Sequence, residues 1–200
     1  MPTARQSQVT VTARAFAAGV HLLTASSAIW GLLAIAAIVE GQWRSAFGWM
    51  GLSLAIDMVD GSLARLGNVE QVFPDFDGAL LDNIVDFLNY VFVPAVFLYH
   101  AALLPANQHL IGVVILCLSS SYQFCQKGAK TPDHYFKCFP SYWNVAVFYL
   151  FIIGLDVWLN LVVLVLLGIG SFVPIKYVYP SRTRRHRRLT LALTALWGGW

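Results

Sequence analysis

Apolar residues along this chain do not alternate with polar ones; they run in long blocks broken by short polar segments. The blocks predict helical spans at about residues 16–39, 46–66, 78–99, 109–124, 143–155 and 157–179. A helix needs about 20 apolar residues to cross the hydrocarbon of a bilayer, and most of these blocks approach that length. A further apolar block opens at Leu189, with 12 residues from there to Trp200. It reads as the start of a seventh span, in a chain that lacks its C-terminal spans. The expected fold is therefore all-α: a polytopic transmembrane helix bundle forming one domain over residues 1–200.

Composition agrees with the pattern. The chain is 58% apolar and only 12% charged, whereas soluble domains carry charge on about a quarter of their residues. Too little charge remains for a water-facing shell, and no nucleic-acid partner is expected. The first block is longer than a secretory signal, so it reads as a retained span. Cys117, Cys125 and Cys138 have no metal-ligand spacing and read as packing residues.

Basic residues give the expected orientation. Arg5 and Arg14 precede the first span, Arg65 ends the second, and Lys127, Lys130 and Lys137 follow the fourth. Arg182, Arg184, Arg185, Arg187 and Arg188 follow the sixth. All fall on one side of a six-span chain, with Arg44 on the other, and the positive-inside rule makes the crowded side cytoplasmic. The run 182–188 reads as a topology anchor that also suits anionic lipid headgroups. Residues 9–14 read weakly as a helix along the membrane surface.

Acidic residues change the picture most. Seven of the ten lie between Asp57 and Asp86. An Asp at the centre of a span costs roughly 2.5–3.5 kcal/mol, so acids at span ends need a reason. Asp57 and Asp60 are three apart on one helix, and Asp82 and Asp86 four apart on the next, so each pair shares a face. The two helices are antiparallel neighbours, which lets four carboxylates meet near one membrane surface. Such a group repels itself unless cations intervene, and hard oxygen ligands suit Mg²⁺ or Mn²⁺. Gly61, Ala64 and Gly78 permit close approach of backbone or ligand, and Arg65 suits a phosphate. The loop acids Glu70, Asp75 and Asp77 read as solvated. The five histidines share no metal-ligand spacing, and no catalytic role is assigned to them.

The ordered string Asp57-x-x-Asp60-Gly61-x-x-Ala64-Arg65, then Gly78-x-x-x-Asp82-x-x-x-Asp86, resembles the defining motif of the CDP-alcohol phosphotransferases. The twelve residues from Leu66 to Asp77 exceed that family's usual gap and are similar to the bacterial phosphatidylcholine synthase branch. Gly19 to Ala25, Ile29 to Ala34, Val85 to Ala95, Phe139-Pro140, Trp143-Asn144, Val147 to Phe151, Phe172 to Pro174 and Arg187 to Leu191 resemble the same branch.

The resemblance implies phosphatidyl transfer from CDP-diacylglycerol to choline, giving phosphatidylcholine and CMP. Asp57, Asp60, Asp82 and Asp86 would hold one or two divalent ions, and Asp86 would serve as general base. Asp57, Gly61, Ala64, Arg65 and Gly78 would line the CDP-diacylglycerol pocket. The family also implies a homodimer, in a bacterial inner membrane with the active site facing the cytoplasm.

A quaternary ammonium cannot donate hydrogen bonds, so a choline site needs aromatic faces. Tyr90, one turn beyond Asp86, and Tyr122 are the expected cage members; Tyr142 and Trp143 flank the same loop. Two alternatives stay open. One is the same chemistry with serine or inositol as acceptor; a phosphorylated acceptor would need basic residues near Asp86, and Arg65 is the only one within the motif. The other is a divalent-cation transporter, which would want acids nearer the bilayer centre or on both sides.

Overall fold

The structure is a computed structural model, and it describes residues 10–129 and 135–178. Helix α1 (Val11–Val39) opens on Thr10, whose hydroxyl accepts from the Ala13 N–H, and is continuous through residues 11–14. It packs along α2 (Trp43–Leu66), the second predicted span. The long gap of the motif is structured: a short helix, α3 (Val69–Val72), buries Val69 against Ala17 and Val20 of α1. Asn68 enters it in the left-handed region, at φ 47°.

The third predicted span is one helical rod with a defect. Helix α4 (Gly78–Phe87) passes through a π-helical turn (Leu88–Phe92) into α5 (Val93–His100). Pro94 has no N–H to return to the preceding turn, and the Val93 N–H instead reaches the Leu88 carbonyl five residues back. Asn89 secures the turn by donating to the Val85 carbonyl at 3.0 Å and to Ser27 of α1 at 3.2 Å. Gly31 makes that approach possible, since a Cβ there would come 2.5 Å from Asn89 Oδ1.

Helix α6 (His109–Phe124) has its predicted bounds, α7 (Trp143–Ile153) stops two residues early at Gly154, and α8 is Val157–Gly170. The expectation of a sixth helix to residue 179 is corrected. The chain leaves the helix at Ser171, and Pro174 bars its return. Residues beyond it form β2 (Lys176–Val178), paired antiparallel with β1 (Tyr135–Lys137), Phe136 opposite Tyr177. The fold is thus helical with one small ribbon. Tyr179, the basic run 182–188, the apolar block from Leu189, Arg5 and Lys130 lie outside the described residues.

The core is rich in aromatic rings. Phe97, fully buried, meets Phe47 at 4.8 Å, Trp43 at 5.3 Å and Phe151 at 5.5 Å between ring centroids. Trp143 Nε1 donates to Ser120 at 2.7 Å and Asn160 Nδ2 to the Leu103 carbonyl at 2.9 Å, so buried polar groups tie α7 to α6 and α8 to the loop before α6. Outside, large apolar side chains such as Leu32, Leu110, Leu118, Ile152, Leu159 and Leu166 are exposed, which suits acyl chains rather than water. Among the described residues, two rods, Val11–Val39 and Gly78–His100, are long and apolar enough to cross a membrane. Helices α6, α7 and α8 are apolar but shorter. Helix α2 has 24 residues, with Asp57, Asp60 and Arg65 in its last three turns.

Candidate active site

Helices α2 and α4 both pack against α1, and carboxylates from the two converge. One oxygen each from Asp57, Asp82 and Asp86 lies within 4.8 Å of the others, and all three residues are half-buried. Asp60 is outside this trio. It is buried, at 4% exposure, and accepts a 2.7 Å hydrogen bond from the Thr24 hydroxyl of α1. Asp57 accepts at 2.6 Å from the hydroxyl of Tyr90, which is also 4% exposed.

Two cavities meet at Asp82. The larger, about 590 Å³, is lined by Asp60, Gly61, Ala64 and Arg65 of α2, by Gly78 and Asp82 of α4, and by His21 and Thr24 of α1. The 66–77 segment supplies its outer wall, with Glu70, Asp75, Phe76 and Asp77. Those loop acids are exposed as expected, and Asp77 also caps α4 by accepting from the Leu80 N–H at 2.8 Å. The smaller cavity, about 260 Å³, holds Asp57, Asp82 and Asp86 on one wall. Its other walls carry Tyr90, Phe136 and Tyr142, with Gln123, Gln126 and Lys127. The Tyr142 ring meets Tyr90 edge-on at 5.8 Å and Phe136 at 5.9 Å.

Several residues lie where the sequence pattern did not place them. Tyr122 lines neither cavity; it lies against Phe172 at 4.7 Å, because its neighbour Gln123 occupies the inward face of α6. Phe136 reaches the small cavity through the unexpected ribbon, and nothing in its sequence context marks it. Lys127 brings to Asp86's cavity the basic group that the motif alone does not supply. His21, given no role from sequence, lines the large cavity, one turn from Thr24 on α1, a spacing that could have flagged it. Its ring is pinned at 4.4 Å by Phe76, and Gly78 makes space for it: a Cβ at 78 would come 2.7 Å from His21 Cε1.

Three half-buried carboxylates with oxygens this close could hold a divalent metal ion. The fold and site define a membrane-suited helical protein with an acidic centre between two cavities. Residues 20–173 match the family model of the CDP-alcohol phosphatidyltransferases, and the chain belongs to that family. It is 48% identical over 164 residues to a phosphatidylcholine synthase of Legionella pneumophila, 82% of this chain and 64% of that one. It is 39% identical over 184 residues to the phosphatidylcholine synthase of Pseudomonas aeruginosa, 92% of this chain and 77% of that one. With the enzyme of that name from Mesorhizobium japonicum, identity is 40% over 185 residues, 92% and 68% of the two chains. The matches thus span about two thirds to three quarters of those relatives' lengths.

Proposed function

We propose that this chain transfers the phosphatidyl group of CDP-diacylglycerol to choline, giving phosphatidylcholine and CMP. The observation that carries the reading is the pair of cavities joined at Asp82, one lined by the nucleotide half of the motif and the other by Asp86 and four aromatic rings, Tyr90, Phe124, Phe136 and Tyr142. The relatives' shared name supports the same reaction.

In this reading the larger cavity takes the cytidine diphosphate. Gly61 and Ala64 admit it closely, and the exposed Arg65 meets phosphate charge. A Mn²⁺ or Mg²⁺ held by Asp57, Asp82 and Asp86, with Asp60 as a further ligand, would offset pyrophosphate charge and stabilise departing CMP. Choline lies in the smaller cavity with its ammonium against Tyr90, Phe136 and Tyr142. Asp86 takes the hydroxyl proton as the choline oxygen bonds to the phosphorus that carries diacylglycerol and the bond from that phosphorus to CMP breaks. Helices α1, α2, the α4–α5 rod, α6, α7 and α8 act as six spans of a bacterial inner membrane, the site facing the cytoplasm, in a homodimer.

Lys127 favours a second acceptor class, because a cation lining the same cavity as Asp86 suits a phosphorylated alcohol better than an ammonium. The test is acceptor choice in membranes free of phosphatidylcholine. CDP-diacylglycerol and Mn²⁺ are supplied, then labelled choline, serine, inositol or glycerol phosphate separately. Phosphatidylcholine formed with choline alone, and lost in Asp60→Ala, supports the proposal. Product with another acceptor keeps the chemistry and overturns the aromatic cage. Release of no CMP with any acceptor would overturn the transferase reading for this chain.

A further inference from the structure

We infer that Tyr90 is a positioning residue, whose hydroxyl holds the Asp57 carboxylate in place for the divalent cation. The inference rests on the phosphotransferase reading for the presence of that cation, and on geometry for the rest. Tyr90 and Asp57 sit on different helical rods, 33 residues apart, and their 2.6 Å contact bridges them. An O–H donated to a carboxylate at this length is a charge-assisted bond, about twice as strong as a neutral one.

The tyrosine is held from several directions. Its backbone lies in the π-helical turn that Pro94 accompanies and Asn89 ties to α1. The residue is buried, at 4% exposure, and its ring meets Tyr142 edge-on. A phenylalanine would fill the same space, so packing alone does not call for the hydroxyl. What the hydroxyl adds is a fixed orientation for Asp57 relative to Asp82 and Asp86, whose oxygens lie within 4.8 Å of its own. Groups that hydrogen-bond to metal-ligating side chains typically contribute 10–100-fold to metal affinity, by fixing the ligand's rotamer. Tyr90 thus has two separable parts: a ring on the acceptor cavity and a hydroxyl on the metal site.

The substitution Tyr90→Phe separates them. The purified chain in lipid nanodiscs, without substrates, is titrated with Mn²⁺ and free ion is followed by electron paramagnetic resonance. The expected result is a Kd for Mn²⁺ raised about 10-fold or more. In turnover, kcat should recover at high Mn²⁺ while the KM for choline changes little, because the ring remains. The Mn²⁺ concentration giving half-maximal thermal stabilisation should shift by the same factor, which covers a variant too weak for titration. Wild-type Mn²⁺ affinity in Tyr90→Phe would overturn the inference, as would a raised choline KM with metal affinity intact. Should choline prove the wrong acceptor, the substrate-free Mn²⁺ titration still decides this inference by itself.

Discussion

The Thr24 hydroxyl on α1 and the Asp60 carboxylate on α2 form a buried 2.7 Å hydrogen bond across 36 residues of chain. It gives a carboxylate at 4% exposure a polar partner, and it ties the helix that carries half of the motif to one that carries none of it. Hydrogen bonds to charged groups are worth about 1.5–3 kcal/mol. Thr24→Val should therefore lower stability by about that amount, read as a fall in the thermal unfolding midpoint in detergent. Thr24→Ser keeps the donor and should retain most of it. Equal melting of Val and Ser variants would show that the bond contributes nothing.

Gly78 and His21 compete for one space. A Cβ at 78 would lie 2.7 Å from the imidazole, whose ring also meets Phe76 at 4.4 Å. Gly78→Ala should then destabilise the chain by about 1–3 kcal/mol, the usual range for overpacking. Combining it with His21→Ala should recover part of the loss in a thermal melt. Additive losses would mean that the glycine serves the ligand and not the histidine.

Removal of divalent ions should abolish turnover, because Asp57, Asp82 and Asp86 would be left in mutual repulsion with nothing to offset the pyrophosphate. Activity followed as CMP release should fall to background in a chelator and return with Mn²⁺ or Mg²⁺, but not with Zn²⁺. Turnover that persists under chelation would remove the metal from the mechanism.

The aromatic walls of the smaller cavity make a prediction about the acceptor alone. Tyr142→Ala and Phe136→Leu should each raise the KM for choline about 2- to 30-fold, as loss of about 0.5–2 kcal/mol of cation–π attraction implies. The KM for CDP-diacylglycerol should change little. Tyr122→Ala, at a residue that lines neither cavity, should leave both constants unchanged. An effect of Tyr122 equal to that of Tyr142 would count against this placement of choline.

Much of the site was legible because its signals are local. Asp57 and Asp60, or Asp82 and Asp86, share a face by helical spacing alone, and an acid in an apolar block is conspicuous wherever it occurs. The residues that escaped notice have no such periodicity. Phe136 lies in a ribbon whose partner strand is some forty residues away, and Lys127 in a turn, so neither is tied by spacing to Asp86. Tyr122 was misplaced by its nearness to a loop that does reach the cavity, since one residue along a helix rotates a side chain by about 100°.

By itself the sequence determined the apolar helices, the acidic faces and the close approach allowed by small residues, since burial pattern and helical period follow from neighbours a few positions apart. Only the tertiary structure decided where each carboxylate's oxygens lie. Asp57, Asp82 and Asp86 come together, while Asp60 turns to Thr24, because the choice depends on how α1, α2 and α4 pack and not on spacing within any one of them. The π turn at residues 88–92 is likewise a tertiary outcome: Pro94 removes a backbone donor, but it takes Ser27 and Gly31 of another helix to receive Asn89 and fix where Tyr90 meets Asp57.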